Sequence, residues 1–347
     1  LDEGCGVENN PFKTIARTFE MINPTESNPI TIHLAAGTYS PETGESFPIN
    51  MMSNVNIQGE NEETTVLDAM QMNTVITMQD CDSNTISNIR ISGGFADDFP
   101  NSVGGGMHLL ASNPTLTHVT ISNNISTARW DAGGAGMYLN FSNPTLTYVT
   151  ISNNTAVYNG GGMFLFHSNP TLTHVIISNN IASEDWGGGM YLDSSNPILS
   201  HVTIIDNSAD SFGGGMYLIS SNPTLTYVTI SNNTAVDYGG GMWLFFSSPN
   251  LTNSIVWGNI PNSIERSFND IDSEPIITYS DIETDECVDG YTECALWASN
   301  GGCEIYVYML IECALSCGTC PSVWEGEGNI DFDPLFTDPE NGDYTLQ

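Results

Sequence analysis

A glycine-rich run, a methionine, an aromatic ring and a leucine recur in this order through the middle of the 347-residue chain. Each copy continues into Asn-Pro, a threonine-rich stretch and a pair of polar residues that is usually Asn-Asn, and the copies follow one another about every 26 residues. The repeated methionines are Met107, Met137, Met163, Met190, Met216 and Met242. Self-similarity at a fixed period of this length indicates stacked structural units, each too small to fold alone.

Apolar residues alternate within each unit, in short runs bounded by Gly, Asn and Pro. In one unit they are Met163, Leu165, Leu172, Val175 and Ile177. Apolar residues that alternate with a period of two over short runs predict β-strands. Coils stacked about 4.8 Å apart would bury these side chains in one column. The sequence therefore predicts an all-β fold, a right-handed parallel β-helix with coils of about 26 residues. A leucine-rich repeat or a propeller would need a different period and motif.

The charge balance is strongly acidic, with 41 Asp and Glu against five Lys and Arg and a formal charge of −36. Such a chain is repelled by nucleic acid and by anionic membranes, which bind clustered Lys and Arg. It also has no apolar run long enough to span a bilayer, so membrane insertion is not expected. The partners that remain are proteins, further copies of the chain, and glycans.

Cysteine usage indicates the compartment. Six of the eight cysteines lie between Cys287 and Cys320, which is typical of disulfides formed in an oxidising environment. No signal peptide begins at Leu1, so we expect either that it has been removed or that the chain is a processed piece. We predict a secreted, extracellular protein, associated with a cell surface.

Three regions follow from these patterns. Residues 1–286 form the β-helix with its N-terminal cap, residues 287–320 an insert, and residues 321–347 a return to the final coil. Within the cap, residues 10–22 read as a single helix with Asn10 as N-cap and Pro11 in its first turn. A short amphipathic helix at this place would cover the open strand edges of the first coil.

The first coils carry a family resemblance. Residues 34–39 (Leu-Ala-Ala-Gly-Thr-Tyr) and 55–59 (Val-Asn-Ile-Gln-Gly) resemble the opening coils of pectin-lyase-like β-helix proteins, and residues 10–286 as a whole look similar to that superfamily. The superfamily includes polysaccharide lyases and hydrolases, which implies an enzyme as one reading. The repeats resemble its secreted surface proteins more than its well-defined enzymes.

The insert resembles the ShK-toxin-like (ShKT) domain, a small disulfide-rich α-helical module. The resemblance is carried by its six cysteines, by Trp297-Ala298, by Met309 and by the run 316–320 (Ser-Cys-Gly-Thr-Cys). The cysteines alone leave their connectivity open. The resemblance implies the pairs Cys287 with Cys320, Cys294 with Cys313 and Cys303 with Cys317. Cys5 and Cys81 then remain, and we expect a disulfide between them.

The residue after each repeated methionine is aromatic, and strand alternation turns it away from the core. The predicted binding row is Tyr138, Phe164, Tyr191, Tyr217 and Trp243, preceded by His108. Exposed apolar stripes of this size mark contact surfaces for proteins or sugar rings. The alternative is that the rings only stabilise a strand ladder, or that a loop covers them.

Acidic residues precede several of the methionines by five or six positions. They are Asp131, Asp185, Asp210 and Asp237. Carboxylates beside aromatic rings can hold calcium or a glycan, or act as the acid pair of a hydrolase. Asp is also an ordinary turn residue before glycine, so no catalytic residue and no metal site is assigned, and calcium is the only cofactor considered.

Other repeated positions form rows as well. The outward Thr pairs resemble the ice-binding face of some β-solenoid antifreeze proteins, although Thr is also a favourable strand residue and Ser200 and Asn250 interrupt the rows. These pairs are Thr115 and Thr117, Thr145 and Thr147, Thr171 and Thr173, and Thr224 and Thr226. A corner position shared by His118, Tyr148, His174, His201 and Tyr227 predicts stacked rings rather than a metal site. The repeated Asn pairs predict hydrogen-bonded amides along the stack.

Glycosylation sequons occur at a frequency close to chance for a chain so rich in Asn, Ser and Thr. Their asparagines are Asn124, Asn140, Asn153, Asn232 and Asn250.

Neighbouring coils are near copies, whereas an active site needs unlike residues converging on one point. The sequence therefore favours a non-catalytic, secreted structural or adhesion protein, such as a subunit of a surface filament or appendage. A polysaccharide hydrolase or lyase is the alternative, and an ice-binding solenoid is a third hypothesis.

Overall fold

The computed structural model describes residues 6–97, 103–129, 133–267, 270, 272–283, 326–334, 336–338 and 343–346. Over these residues the chain winds into a right-handed parallel β-helix of about nine turns. Each coil pairs in parallel with the next, and like residues face like, for example Met163 with Met190 and Leu172 with Leu199. The predicted fold class is confirmed.

The strands of the described coils form three parallel sheets. The methionine sheet comprises Ile49–Asn50, Ile76–Gln79, Met107–Leu110, Met137–Asn140, Met163–Phe166, Met190–Asp193, Met216–Ile219, Met242–Phe245 and Ile264–Arg266. The short-strand sheet comprises Phe95–Ala96, Ile125–Ser126, Thr155–Ala156, Ile181–Ala182, Ser208–Ala209 and Thr234–Ala235.

The threonine sheet is the largest of the three and bends at one corner residue per coil. Its strands are Ile30–His33, Gly37–Tyr39, Val55–Gln58, Thr65–Asp68, Thr85–Ser92, Thr115–Ser122, Thr145–Ser152, Thr171–Thr173, Ile176–Ser178, Ile198–Ser200, Thr203–Ile205, Thr224–Thr226, Thr229–Ser231, Asn250–Thr252, Ile255–Trp257, Ile276–Thr278 and Asp281–Ile282. A separate antiparallel hairpin pairs Phe336–Asp338 with Asp343–Leu346.

The core is the column of inward side chains that the alternation predicts. Met163, Leu165, Leu172, Val175 and Ile177 are all completely buried. The corresponding residues of the other coils continue the same cluster from Ile15 to Ile282. Burial of this kind is worth roughly 1.5–3 kcal/mol for each large side chain, so the stack of coils stabilises itself as a unit.

Glycine precedes each methionine strand because the coils approach closely there. Gly160 has a φ of +67°, which is unfavourable for other residues. A Cβ on Gly161 would lie 2.5 Å from the backbone oxygens of Ile181 and Gly188 in the next coil. The glycine run therefore fixes how the loop before each methionine strand turns toward the sheet.

The N-terminal cap is shorter than predicted. Helix α1 spans Ile15–Met21, and its N-cap is Thr14 rather than Asn10. Thr14 Oγ1 accepts a hydrogen bond from the Arg17 N–H at 3.2 Å. The Glu45 carboxylate accepts the N–H groups of Ile15 at 2.7 Å and Ala16 at 3.2 Å, so a carboxylate distant in sequence helps to set the start of the helix. A 3₁₀ turn at Pro41–Thr43 precedes this glutamate.

A buried asparagine ladder runs through the turn between the threonine and short-strand sheets. Its side-chain Nδ2 groups each donate to the Oδ1 of the next rung at 2.9–3.0 Å, which confirms the predicted amide row. Its rungs are Asn124, Asn154, Asn180, Asn207, Asn233 and Asn259. Because every side-chain amide also bonds to the backbone, removal of one rung would leave buried polar groups in two neighbouring coils without hydrogen-bond partners.

We expect Asn180→Ala to lower the free energy of unfolding by about 3 kcal/mol, because the Ile151 carbonyl and the Asn154 amide lose buried partners. The control is Asn179→Gly, which changes the exposed neighbour at a φ of 55° that glycine adopts readily. Urea unfolding followed by circular dichroism measures both. Equal loss in the two variants would contradict the role of the ladder.

A second buried ladder follows the methionine sheet, and Cys81 begins it. Each backbone N–H donates to the hydroxyl of the next rung at 2.7–3.0 Å. The serines of this serine ladder are Ser112, Ser142, Ser168, Ser195, Ser221, Ser247 and Ser273. Cys81 Sγ lies 3.4 Å from the carbonyl oxygen of Gln79, two residues before it. The serines make the same contact: the Ser112 hydroxyl, for example, donates to the carbonyl of Leu110.

The prediction of a disulfide between Cys5 and Cys81 is wrong, because Cys81 is a free, buried thiol. Cys5 lies outside the described residues. Burial raises the pKa of the Cys81 thiol, which keeps it protonated and able to donate its weak hydrogen bond.

Because Cys81 occupies a serine position, we expect Cys81→Ser to change the free energy of unfolding by less than about 1 kcal/mol. Loss of a disulfide would instead lower it by about 2–5 kcal/mol. Thermal and urea unfolding of the variant and the wild type, each without reductant, separate the two outcomes.

The cysteine-rich segment and its three predicted disulfides lie outside the described residues. After it, Ile330 pairs with Asp281, and the Ile330 N–H donates to the Ser280 carbonyl at 3.0 Å. Asn329 Nδ2 donates to the Ile277 carbonyl at 2.8 Å. The chain thus meets the last described coil again on the side away from the N-terminus.

Candidate interaction surface

The aromatic row of the methionine sheet is buried, so the prediction of an exposed stripe is wrong. Tyr138, Phe164, Tyr191, Tyr217 and Trp243 are between 2% and 7% exposed. They form an apolar cluster of their own, separate from the central core. The side chains do point outward from the sheet, as the alternation predicts, but the loops before the glycine runs fold over them, which is the alternative that the sequence left open.

The covering contacts are aromatic. The Trp186 ring lies 5.1 Å from Tyr217, and the Phe212 ring lies 4.7 Å from Trp243, both stacked. Within the row, ring centroids of neighbouring coils are 4.6–5.3 Å apart. Because rings and loops fill this face, the row stabilises the stack of coils rather than contacting a partner.

Burial shifts the titration of two groups in this row. It raises the pKa of Tyr217 to about 12, with smaller contributions from Asp193 and Asp185. It lowers the pKa of His108, which contacts Tyr138 edge to face at 5.5 Å, to about 4. His108 is therefore a neutral ring in the folded protein at neutral pH.

We expect His108→Phe to reduce the loss of stability on acidification. In the unfolded chain His108 becomes charged near pH 6.5, whereas in the folded protein it does so near pH 4. Its contribution is therefore complete above pH 6.5 and is lost as the pH falls to about 4. Across this window the wild type should lose ~3 kcal/mol more than the variant, measured by urea unfolding at several pH values. Parallel losses in the two proteins would show that the buried ring is not responsible.

Among the described acidic candidates, Asp185 and Asp210 lie close enough together for their charges to interact. Asp185 is half-buried, Asp210 and Asp237 are exposed, and Asp131 lies outside the described residues. Burial raises the pKa of Asp185, and the neighbouring charges of Glu184 and Asp210 add to the effect. Among the described residues, no group of three or more His, Cys, Asp or Glu could hold a metal ion. The calcium and glycan roles of these aspartates remain predictions.

One of the predicted glycosylation sites is wrong. Asn124 is completely buried, and its amide belongs to the asparagine ladder. Asn140 is half-buried, whereas Asn153, Asn232 and Asn250 are exposed. Glycosylation of these four remains a prediction.

The corner of the threonine sheet carries the exposed aromatic residues that the methionine sheet does not. Its neighbouring rings lie 4.9–5.1 Å apart between centroids and all of them are exposed; three of the four pairs stack, as predicted, and His174 is tilted by 37° against His201. The rungs of this corner ladder are His118, Tyr148, His174, His201 and Tyr227.

Every ring of the corner ladder has a left-handed backbone, with φ between 53° and 56°. This conformation costs about 1–2 kcal/mol for a residue other than glycine, and Asn88 and Asn253 occupy it at the two ends of the ladder. Stacking of the rings offsets part of this cost. The strained backbone holds the rings outward in a continuous exposed ridge.

The outward threonine rows lie on both sides of this ridge, in register from coil to coil. Exposed Ile176 and Ile198 stand in these rows, together with the interruptions at Ser200 and Asn250. We call this surface the threonine face. It comprises the outward side chains of residues 115–120, 145–150, 171–176, 198–203, 224–229 and 250–255.

The threonine face is free of Asp, Glu, Lys and Arg, although the chain carries a formal charge of −36. The nearest charged residues of the same rows are Arg90 in the coil before it and Asp281 in the coil after it. Sequence reasoning considered residue types row by row and missed this surface as a whole. A count of charges along the rows of each predicted strand would have found it.

No helix in the described part of the chain combines the length and the apolar character that a membrane span requires.

Comparison with known proteins places this architecture in a family. Residues 2–207, more than half of the chain, match the family model described as "Protein of unknown function (DUF1565)", a right-handed β-helix family. The chain belongs to this family. Residues 286–320 match the model described as "ShK domain-like", which confirms the resemblance of the insert. Among proteins with curated functions, none matches the chain.

Solved structures share the fold at low sequence identity. Pectate lyase Pel9A is 12% identical over 80% of this chain and 74% of its own, with a TM-score of 0.51. Pectin methylesterase PemA from Erwinia chrysanthemi is 13% identical over 80% of this chain and 86% of its own, with a TM-score of 0.45. A pectin methylesterase from Yersinia enterocolitica is 13% identical over 78% and 90%, with a TM-score of 0.43. The similarity to Pel9A shows a shared parallel β-helix fold alone.

Proposed function

We propose that this protein is a non-catalytic, extracellular structural or adhesion protein that binds a protein partner through the threonine face. The observation that carries the proposal is the uncharged surface on a polyanion. Charged side chains are depleted at the cores of protein interfaces and aromatic ones are enriched, and the threonine face has both properties. Its exposed Tyr148, Tyr227, Ile176 and Ile198 supply apolar area, and its hydroxyl groups can hydrogen-bond.

The regular coils support a structural role. The repeated side chains stabilise the stacking of the coils. The asparagine and serine ladders join neighbouring coils, and the aromatic row fills the outer side of the methionine sheet. The six clustered cysteines of the ShK-like segment favour an extracellular location. A stack of coils of this kind would suit a subunit of a filament or surface appendage.

The test places charge on the threonine face. We expect the variant Tyr148→Asp/His174→Asp to fold, since Asp80 and Asp206 adopt the same left-handed backbone elsewhere in the chain. Buried without a partner, the new carboxylates should weaken binding about tenfold or more. Binding of fluorescently labelled protein to cells of the source organism provides the measurement.

The control adds equal charge elsewhere. Ser183→Asp/Val236→Asp places two carboxylates in the row that Asp210 already occupies, on another surface. This variant should bind like the wild type. The proposal fails if the wild type does not bind, or if both double variants bind equally well.

The alternative function, a polysaccharide hydrolase or lyase, draws on the raised pKa of Asp185, a property of catalytic acids. Incubation with neutral and acidic polysaccharides in the presence of calcium tests it through the release of reducing ends. We expect no turnover. Turnover that Asp185→Ala or Asp210→Ala abolishes would replace the structural role with a catalytic one.

A further inference from the structure

The corner ladder contains an aromatic slot at its C-terminal end. The corner position continues beyond Tyr227 as Asn253 and then Tyr279, with the strands on either side in register. Asn253 is exposed and shares the left-handed backbone of its neighbours, with a φ of 51°. Tyr227 and Tyr279 therefore stand two coils apart with a short amide between them.

Both walls of the slot are held in place. One face of the Tyr227 ring stacks on His201 at 4.9 Å, which leaves its other face toward Asn253. Tyr279 is held by the segment that follows the cysteine-rich insert: its N–H donates to the Glu327 carbonyl at 2.7 Å, and its ring contacts Gly328. Gly328 has a φ of +71°, and a side chain there would collide with the ring.

The width of the slot selects a flat group. Strand spacing in a parallel stack places Tyr227 and Tyr279 about 9.6 Å apart, which is twice the interval between neighbouring coils. Elsewhere in the ladder one such interval separates two stacked planar rings, at 4.9–5.1 Å between centroids. One planar group lying over Asn253 would therefore contact both tyrosine faces, as the rings of the ladder contact each other.

The charge around the slot selects a cation. A depression of about 520 Å³ opens beside it, lined by Tyr227, Asn253 and Tyr279 together with Phe332, Asp281 and Asp333. Asp281 is nearly buried and its carboxylate accepts the Phe332 N–H at 3.1 Å, whereas Asp333 is exposed, and the whole chain is a polyanion. An anionic sugar or phosphate would be repelled here, whereas a cation gains both from the tyrosine faces and from the carboxylates.

We propose that this slot binds the guanidinium group of an arginine on a basic protein partner. Guanidinium is the planar, permanently charged group among protein side chains, and it stacks on aromatic faces while donating to carboxylate and amide oxygens. The inference rests on the proposed adhesion function and names the chemistry of its partner. A second copy of this chain is a poor partner, because it carries only five Lys and Arg against 41 Asp and Glu.

The experiment compares three peptides that differ only in the test residue. Fluorescently labelled, end-blocked Gly-Xaa-Gly-Xaa-Gly peptides carry arginine, lysine or citrulline at both variable positions, and anisotropy measures their binding to the full chain at about 0.15 M salt. Lysine carries the same positive charge as arginine but no planar group, and citrulline carries a planar group but no charge. We expect the arginine peptide to bind about fivefold or more tighter than either.

The key variant fills the slot from within. Asn253→Tyr adds the missing ring at a backbone conformation that Tyr148 and Tyr227 already adopt, so the fold should be retained. This variant should lose the preference for arginine. Asn88→Tyr is the matched control, because it adds the same ring at the other end of the corner ladder, at a φ of 55°, and should keep the preference.

The outcomes separate the two proposals. Equal binding of the arginine and lysine peptides, no binding of either, or a preference that survives Asn253→Tyr would overturn the arginine slot. Cell-surface binding that depends on Tyr148 and His174 would then still stand, because those residues lie outside the slot. Loss of the preference in Asn253→Tyr but not in Asn88→Tyr would support the assignment, even if no cell surface binds the protein.

Discussion

In-register hydrogen bonding between identical coils is the constraint on which the rest of this structure depends. Buried amides and hydroxyls bond from each coil to the next, so that a polar side chain in one coil satisfies the backbone of its neighbour. A shift by one residue would move the inward residues to the outside and break both ladders together. The fixed register converts each repeated residue into a row, and the rows create the surfaces that a partner can meet.

Two aromatic rows show how little separates a structural element from an exposed surface. Both project outward from their sheets and both stack at about the strand spacing. On the methionine sheet the preceding loop is long enough to lay Trp186 and Phe212 over the rings. At the corner of the threonine sheet a single left-handed residue makes the turn, so nothing in the described chain covers the ring ridge. The length of the adjoining loop decides which row faces solvent.

The fold could be read from the sequence because period, alternation and turn residues all indicate the same architecture. The asparagine row and the stacked corner rings followed from that period. The burial of Tyr191 and Tyr217 could not be read in the same way, because it depends on how a loop folds back over a neighbouring coil. The start of α1 depends on Glu45, thirty residues beyond Ile15, and the buried thiol of Cys81 lies 3.3 Å from the Met51 carbonyl of the preceding coil. Each of these features is a contact between segments distant along the chain, which a local pattern does not encode.

The interchangeable rungs also have a consequence for how such a molecule changes over generations. A tandem duplication of residues 163–189 would add one amide and one hydroxyl to the internal ladders, one ring to each aromatic row and about 4.8 Å to the axis, with all existing contacts preserved. Deletion of one such unit would do the reverse. The length of the solenoid can therefore drift by whole coils through recombination between near-identical stretches of the gene, while its two ends remain unchanged.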